Sequence, residues 1–160
     1  MSLKQSLICM FGAAMLTFSV TWAFADERPP YGPPIDLATA KKMAAAAIAE
    51  AQKNKFKVAV TVVDTHGFLV YFEKLDQTQT ASIQVAIDKA RSAAMYRRST
   101  RVFQDAVSKG SVGLLTLSGM SAASGGLPIM KDGKVIGAIG TSGVTSDEDE
   151  QVSKAGLAGM

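Results

Sequence analysis

The chain has 160 residues, 48% of them hydrophobic, a formal net charge of +3 and a single cysteine. That length suits one ordinary domain. Near-neutral charge with no basic run longer than Arg97-Arg98 argues against nucleic acid as the main partner, and one cysteine excludes internal disulfides and Cys-x-x-Cys chemistry.

Residues 1–25 read as a secretory signal peptide. Lys4 gives a short positive start, Leu7 to Val20 is apolar, and Ala23-Phe24-Ala25 places small residues where a signal peptidase cuts, before Asp26. A membrane anchor fits less well, because Thr17 and Ser19 interrupt a run already short of the roughly 20 residues a bilayer demands. Cys9 lies too near the start for a lipoprotein signal, and its removal leaves a cysteine-free mature chain. Loss of Lys4, the one charged residue of the segment, takes the net charge from +3 to +2. The expected location is periplasmic or secreted.

Residues 26–35 form a proline-rich lead-in (ERPPYGPP from Glu27), expected to be extended and mobile. A single domain over 36–160 follows. Asp36 reads as the N-cap of an alanine-rich helix reaching about Asn54, with Leu37, Ala40, Ala44, Ile48 and Ala51 on one apolar stripe. Lys57 to Asp64 (KVAVTVVD) is a β-branched run, as expected of a strand covered on both faces. Thr65-His66-Gly67 turns the chain, and Phe68 to Lys74 returns as a second strand.

Thr80 to about Tyr96 reads as a second helix that buries Ile83, Ala86, Ile87, Ala90 and Ala94. Arg97-Arg98-Ser99 ends it, and Ser99 or Thr100 caps a shorter helix through about Val107. Lys109 to Gly126 is rich in Gly and Ser, with a short strand expected at Leu114 to Leu117; such segments often line a pocket. Leu127 to Met130 and Val135 to Ser142 flank Asp132-Gly133, a pair suited to a tight primed turn. Ser146 begins a last helix whose acids, Asp147 to Glu150, oppose the positive end of its dipole. The expected fold is α+β, an antiparallel sheet of four to five strands flanked by helices. Its order is helix, two strands, two helices, two or three strands, helix.

Several of these stretches resemble the GlcG/HbpS family. They include Val62-Val63-Asp64 with Gly67 and Leu69, Ala81-Ser82-Ile83, Ala86-Ile87-Asp88-Lys89-Ala90 and Ala93-Ala94. Further along come Gly125-Gly126-Leu127-Pro128-Ile129, Gly133, Val135 to Gly140, Ser142-Gly143, Asp149 and Ala155-Gly156-Leu157-Ala158. The resemblance spans the mature chain and implies a compact α+β domain that forms homo-oligomers. It also implies non-covalent heme binding in heme or iron handling near redox-sensing systems, or a place beside catabolic enzymes. Many members carry glycine where this chain has His66, and commonly Pro-Thr where it has Ser99-Thr100. Thr100 thereby maps onto a heme-facing helix start.

Heme iron takes His, Met, Tyr or thiolate as axial ligand. His66 is the sole imidazole, either a solvent-facing turn residue or a metal ligand. Met95 and Tyr96 close the second helix beside Arg97 and Arg98, whose guanidinium forks suit heme propionates. Gly125 and Gly126 would let a flat ligand or a partner subunit approach a strand, or else serve strand and turn geometry alone. An alternative makes the chain an accessory protein or small-molecule enzyme using the Gly/Ser-rich segment between Ser111 and Pro128, and a third makes it a signalling module contacting a membrane sensor partner. No residue pattern demands catalysis: Gly119-Met120-Ser121 lacks the second glycine of a nucleophile elbow.

Overall fold

The computed structural model describes residues 28–160, so the signal-peptide segment lies outside the described residues. Asp36 caps α1 (Leu37–Lys53), its Oδ1 accepting from the Thr39 amide at 2.8 Å. β1 (Ala59–Asp64) and β2 (Leu69–Lys74) form the first hairpin. α2 (Ala81–Tyr96) and α3 (Arg101–Ser108) follow, then β3 (Gly126–Lys131), β4 (Lys134–Ser142) and α4 (Ser146–Ala158). All strands pair antiparallel in the order β2-β1-β4-β3, a four-stranded α+β sheet as expected.

The sheet separates two unequal cores. On one face Val58, Val60, Val62, Leu127, Ile129 and Ile139 pack against Met43 and Ile48 of α1 and Val152 of α4. Burying each such side chain stabilises the fold by roughly 1.5–3 kcal/mol, so this is the main hydrophobic layer. α1 and α4 cross closely because their contact residues are small: a Cβ on Gly156 would stand 3.2 Å from the Ala47 Cβ. On the other face lies α2, joined to Val63 and Ala138 only through Ala90, Ala93 and Ala94.

That thin second layer corrects the sequence-derived stripe of α2. Ile83 and Ile87 are only half-buried, while Ser82, Lys89 and Ser92 face inward. The helix lies so close to the sheet that only small side chains fit between, and the isoleucines are displaced to its flanks. A Cβ on Gly140 would fall 2.3 Å from the Ala86 carbonyl oxygen, and one on Gly126 would fall 2.2 Å from that of Lys89. Here glycine supplies a close approach of helix to sheet.

Three further expectations change. Leu114 to Leu117 is not a strand. The chain forms a largely exposed 3₁₀ turn at Val112–Thr116, outside the four-stranded sheet. Leu37 heads its helix stripe yet is half exposed, because it precedes the turn at which α1 meets the sheet. The lead-in is tied down: Val135 N donates to the Pro30 carbonyl, Gly32 N to that of Val135 and Ile35 N to that of Ile136, all at 2.8–2.9 Å. β1 pairs with β4 only as far as Gly137, and the lead-in takes over the vacated edge of β4 at Ile136 and Val135.

Candidate functional site

The turn between β1 and β2 is built by Asp64. Its Oδ1 accepts from the amides of His66 at 2.8 Å and Phe68 at 2.9 Å, and Gly67 takes the left-handed φ of +81° that the turn needs. This holds His66 outward at the tip, with Nδ1 3.2 Å from the Thr65 hydroxyl oxygen. When Nδ1–H donates to that oxygen, the Nε2 lone pair is left for a metal or a donor.

Opposite the tip stands the C-terminus of α2. Arg97 ends the helix in the left-handed conformation, φ +53°. The Tyr31 hydroxyl serves the last carbonyls of that helix, donating to the Ala94 and Met95 oxygens at 3.0 and 3.1 Å. Arg97 reaches back to donate to the Pro29 carbonyl at 3.2 Å and lays its guanidinium 5.2 Å from the Tyr31 ring centroid. Lead-in, turn and helix end therefore enclose a recess of about 410 Å³, lined by Tyr31, Gly32, Pro34, Thr65, His66 and Met95.

Two of the candidate ligands thus meet in one place, His66 and Met95. Arg97 stands behind the Tyr31 wall. Tyr96 and Arg98 point elsewhere: the Tyr96 hydroxyl donates to the Ser118 carbonyl at 2.7 Å, its ring packs edge-on against Phe103, and the Arg98 guanidinium lies 5.8 Å from the Phe103 ring. Tyr31, one of the tyrosines whose residue type can serve heme iron, lies in a lead-in expected to be mobile, and sequence reasoning did not place it at the site.

Thr100, Gly125 and Gly126 do not line an open recess. Thr100 is buried and exchanges bonds with Gly126, its amide donating to the Gly126 carbonyl and its Oγ1 accepting from the Gly126 amide, both at 3.0 Å. α2 closes over them. A Cβ on Gly125 would lie 2.8 Å from the Thr141 carbonyl oxygen and 3.1 Å from Lys89 Nζ. A flat ligand has no room along this strand within one subunit.

Beneath the closed seam sits an ion pair that was also missed. Lys89 Nζ is 2.7 Å from Asp149 Oδ2 and donates to the Thr141 carbonyl at 3.1 Å, both side chains being almost wholly buried. Burial pushes the Asp149 carboxyl above its ordinary value, with Lys89 pulling the other way. The legible signal was Lys89 falling on the alanine stripe at three residues from Ala86. The acids of α4 accordingly divide. Glu148 stays at the helix start, as the dipole argument expects, and there completes a capping box with Thr145. Asp149 and Glu150 instead turn inward. Burial would raise the Glu150 carboxyl, but bonds from Lys154, Ser124 and Arg101 outweigh it and hold the carboxyl at about 2.

The Gly/Ser-rich segment contributes Gly119, Met120 and Ser121 to a groove of about 370 Å³ shared with Val85, Asp88 and Arg91 of α2. The Ser121 amide donates to Ser92 Oγ at 3.0 Å. Among the described residues no three His, Cys, Asp or Glu side chains gather as a metal cluster, and no helix is long and apolar enough to cross a membrane.

A family model described as haem-degrading protein HbpS-like matches residues 35–158. The chain belongs to this family. Protein GlcG of Escherichia coli is 37% identical over 106 residues, covering 64% of this chain and 79% of GlcG. Among solved structures, HbpS superposes with a TM-score of 0.73 at 28% identity, covering 79% of this chain and 90% of HbpS. A PduOC–heme complex shares the fold with a TM-score of 0.72 at 23% identity, over 79% of this chain and 95% of that one. For an HbpS-like chain, the His66 recess is then the feature to be explained.

Proposed function

We propose that this HbpS-like protein is exported and binds heme non-covalently, serving heme or iron handling or its sensing. The observation that carries the reading is the convergence of an imidazole (His66), a thioether (Met95) and an aromatic wall (Tyr31) on one recess of about 410 Å³. Its size falls within the range of about 300–1,000 Å³ usual for small-molecule sites. The donor types fit: nitrogen and thioether sulfur are both axial-ligand chemistry for heme iron. His66 would hold the iron, Tyr31 would pack against the macrocycle, and Arg97, stacked on the Tyr31 ring, would offer its guanidinium to a propionate. Heme itself would bring the redox chemistry of its iron, and the residues of this chain would bind and orient it. Kinship with HbpS and with a fold relative solved as a heme complex supports the reading.

Association of copies is part of the proposal. Phe68, just before the edge strand β2, and Leu69, its first residue, are 69% and 55% exposed beside the His66 turn. A second copy covering them would also shield the open side of the recess. Light scattering at micromolar concentration is expected to give an oligomer, and a monomeric mass would contradict this part.

Hemin titration of the processed protein is expected to give a saturable change in the Soret region. His66→Ala should abolish or shift that band while leaving stability within about 0.5 kcal/mol, as befits an exposed turn residue. An unsaturable spectrum would end the heme reading, and an unchanged spectrum in His66→Ala would remove the ligand from this recess. Export is checked by the mass of the secreted or periplasmic form, expected to begin at Asp26.

A further inference from the structure

The outer side of α2 separates two apolar surfaces that the chain leaves uncovered. One is the middle of the Gly/Ser-rich segment. From Ser108 to Gly119 every residue but the half-buried Leu114 is exposed, with Val112, Leu115 and Leu117 at 63%, 58% and 40%. The backbone is nevertheless fixed: Leu114 N donates to the Ser111 carbonyl, Leu117 N to that of Leu114, and the Tyr96 hydroxyl to that of Ser118. No charged residue occurs between Gly110 and Met130. Depletion of charge around exposed apolar side chains is the composition of an interface core.

The second surface is Phe68 and Leu69, beside the His66 turn. Leu69 is the register partner of Val63, which packs on the alanines of α2, so both face that side of the sheet. α2 runs mainly across β1, β3 and β4, and Leu69 stays outside its cover. Phe68 to Phe72 (FLVYF) is also without charge.

The two surfaces hang on different flanks of one helix. Ser118 bonds to Tyr96 and Ser121 to Ser92, whereas Gly67 lies against Arg91, where a Cβ would stand 3.5 Å from Arg91 Cγ. At 3.6 residues per turn these flanks diverge by about 100° or more, so α2 keeps the segment and the turn apart within one copy. Asp88 and Arg91 are the only exposed charges of the helix between them. They are opposite in sign, so this side of the molecule meets its own copy without net like charge.

We propose that residues 109–119 dock on the Phe68–Leu69 surface of a second copy of this chain, where Leu115 and Leu117 close the open side of the recess beside the partner's His66. The inference rests on the association of copies proposed above and assigns its two surfaces. A foreign partner on either surface would leave the other wet, while a second copy covers both kinds. Because unlike surfaces meet, the copies close as a reciprocal pair or a ring.

The processed chain has no cysteine, since Cys9 precedes Asp26, so introduced thiols report the contact directly. Leu69→Cys/Leu115→Cys, treated with a short bis-maleimide, should give a covalent dimer whose linked peptides join position 69 to position 115. Links of 69 to 69 or of 115 to 115 as the main products would overturn the proposal. Leu115→Glu/Leu117→Glu should raise the dissociation constant of the oligomer at least about tenfold by light scattering, with an unchanged far-ultraviolet spectrum. An unchanged mass would equally overturn it, as would binding of anionic phospholipid vesicles by a chain that yields no 69–115 link. Saturable hemin binding by a chain that stays monomeric would sink this contact and leave the heme reading standing. The 69–115 link in a protein indifferent to hemin would do the reverse.

Discussion

The two faces of α2's surroundings use glycine and side chains in opposite ways. Along the seam of Gly125, Gly126 and Gly140 the missing side chains bring helix and sheet into direct contact, so the space is consumed by backbone. At the end of the same helix, Met95, Tyr31 and His66 keep lead-in and turn apart, and a recess remains between them. A glycine-rich strand therefore marks where two pieces of main chain touch, and the recess remains where larger residues prevent that contact.

The contrast is broken most severely at the ion pair beneath the seam. Asp149→Leu strands the almost wholly buried Lys89 ammonium with no other ion-pair partner among the described residues, at an expected cost of about 3–5 kcal/mol in urea unfolding. Lys89→Met combined with Asp149→Leu should recover most of that loss, since two matched apolar groups leave no orphaned charge. A double variant as unstable as the single one would mean that the seam depends on the charges themselves. Next comes Gly140→Ala, which drives a methyl group into the Ala86 carbonyl and should cost about 1–3 kcal/mol, enough to lower the melting temperature by several degrees. His66→Ala, on the open side, should barely register in the same melt.

An intermediate effect is expected from pH. Glu150 is held at about 2 against an ordinary 4.5 in the unfolded chain. Its contribution is therefore complete above about 4.5 and is lost as pH falls toward 2. Asp149, raised by burial, tilts stability the opposite way just above 3.8, so the difference between wild type and Glu150→Gln isolates the Glu150 term. Urea midpoints measured from pH 6 to pH 2.5 should converge for the two proteins on the acid side.

Much of the architecture was legible. The Asp36 cap, the β-branched run of β1, the Asp132-Gly133 turn and the acidic start of α4 at Ser146 are local signals, and each forms where its residues place it. What escaped was set by distance between elements. Ile83 and Ile87 have the right spacing for a buried stripe, but α2 lies too close to the sheet for them to fit. Leu114 to Leu117 is apolar enough for a strand, yet its backbone is committed to local turn bonds, Leu114 N to the Ser111 carbonyl and Leu117 N to that of Leu114. His66 and Met95 were both named as ligand candidates. Their meeting depends on a lead-in whose prolines suggest mobility, while its backbone supplies the missing partners of Val135 and Ile136.

The smallest effect is the most selective test of that lead-in. Tyr31→Phe removes one hydroxyl and keeps the ring against Arg97, so global stability should fall by about 0.5–1.5 kcal/mol at most. Loss of the bond to the Ala94 and Met95 carbonyls leaves the lead-in held to the end of α2 by Arg97 alone, with its attachment to β4 unchanged. The amides of Gly32 and Ile35 should then exchange faster with solvent than those of β1, although both sets are hydrogen-bonded in the native chain. If the recess is a heme site, the same variant should weaken hemin, because one wall is no longer fixed relative to His66. Exchange that accelerates uniformly across lead-in and β1 would instead show the two moving as one unit, and the recess would then be a rigid part of the sheet with no separately anchored wall.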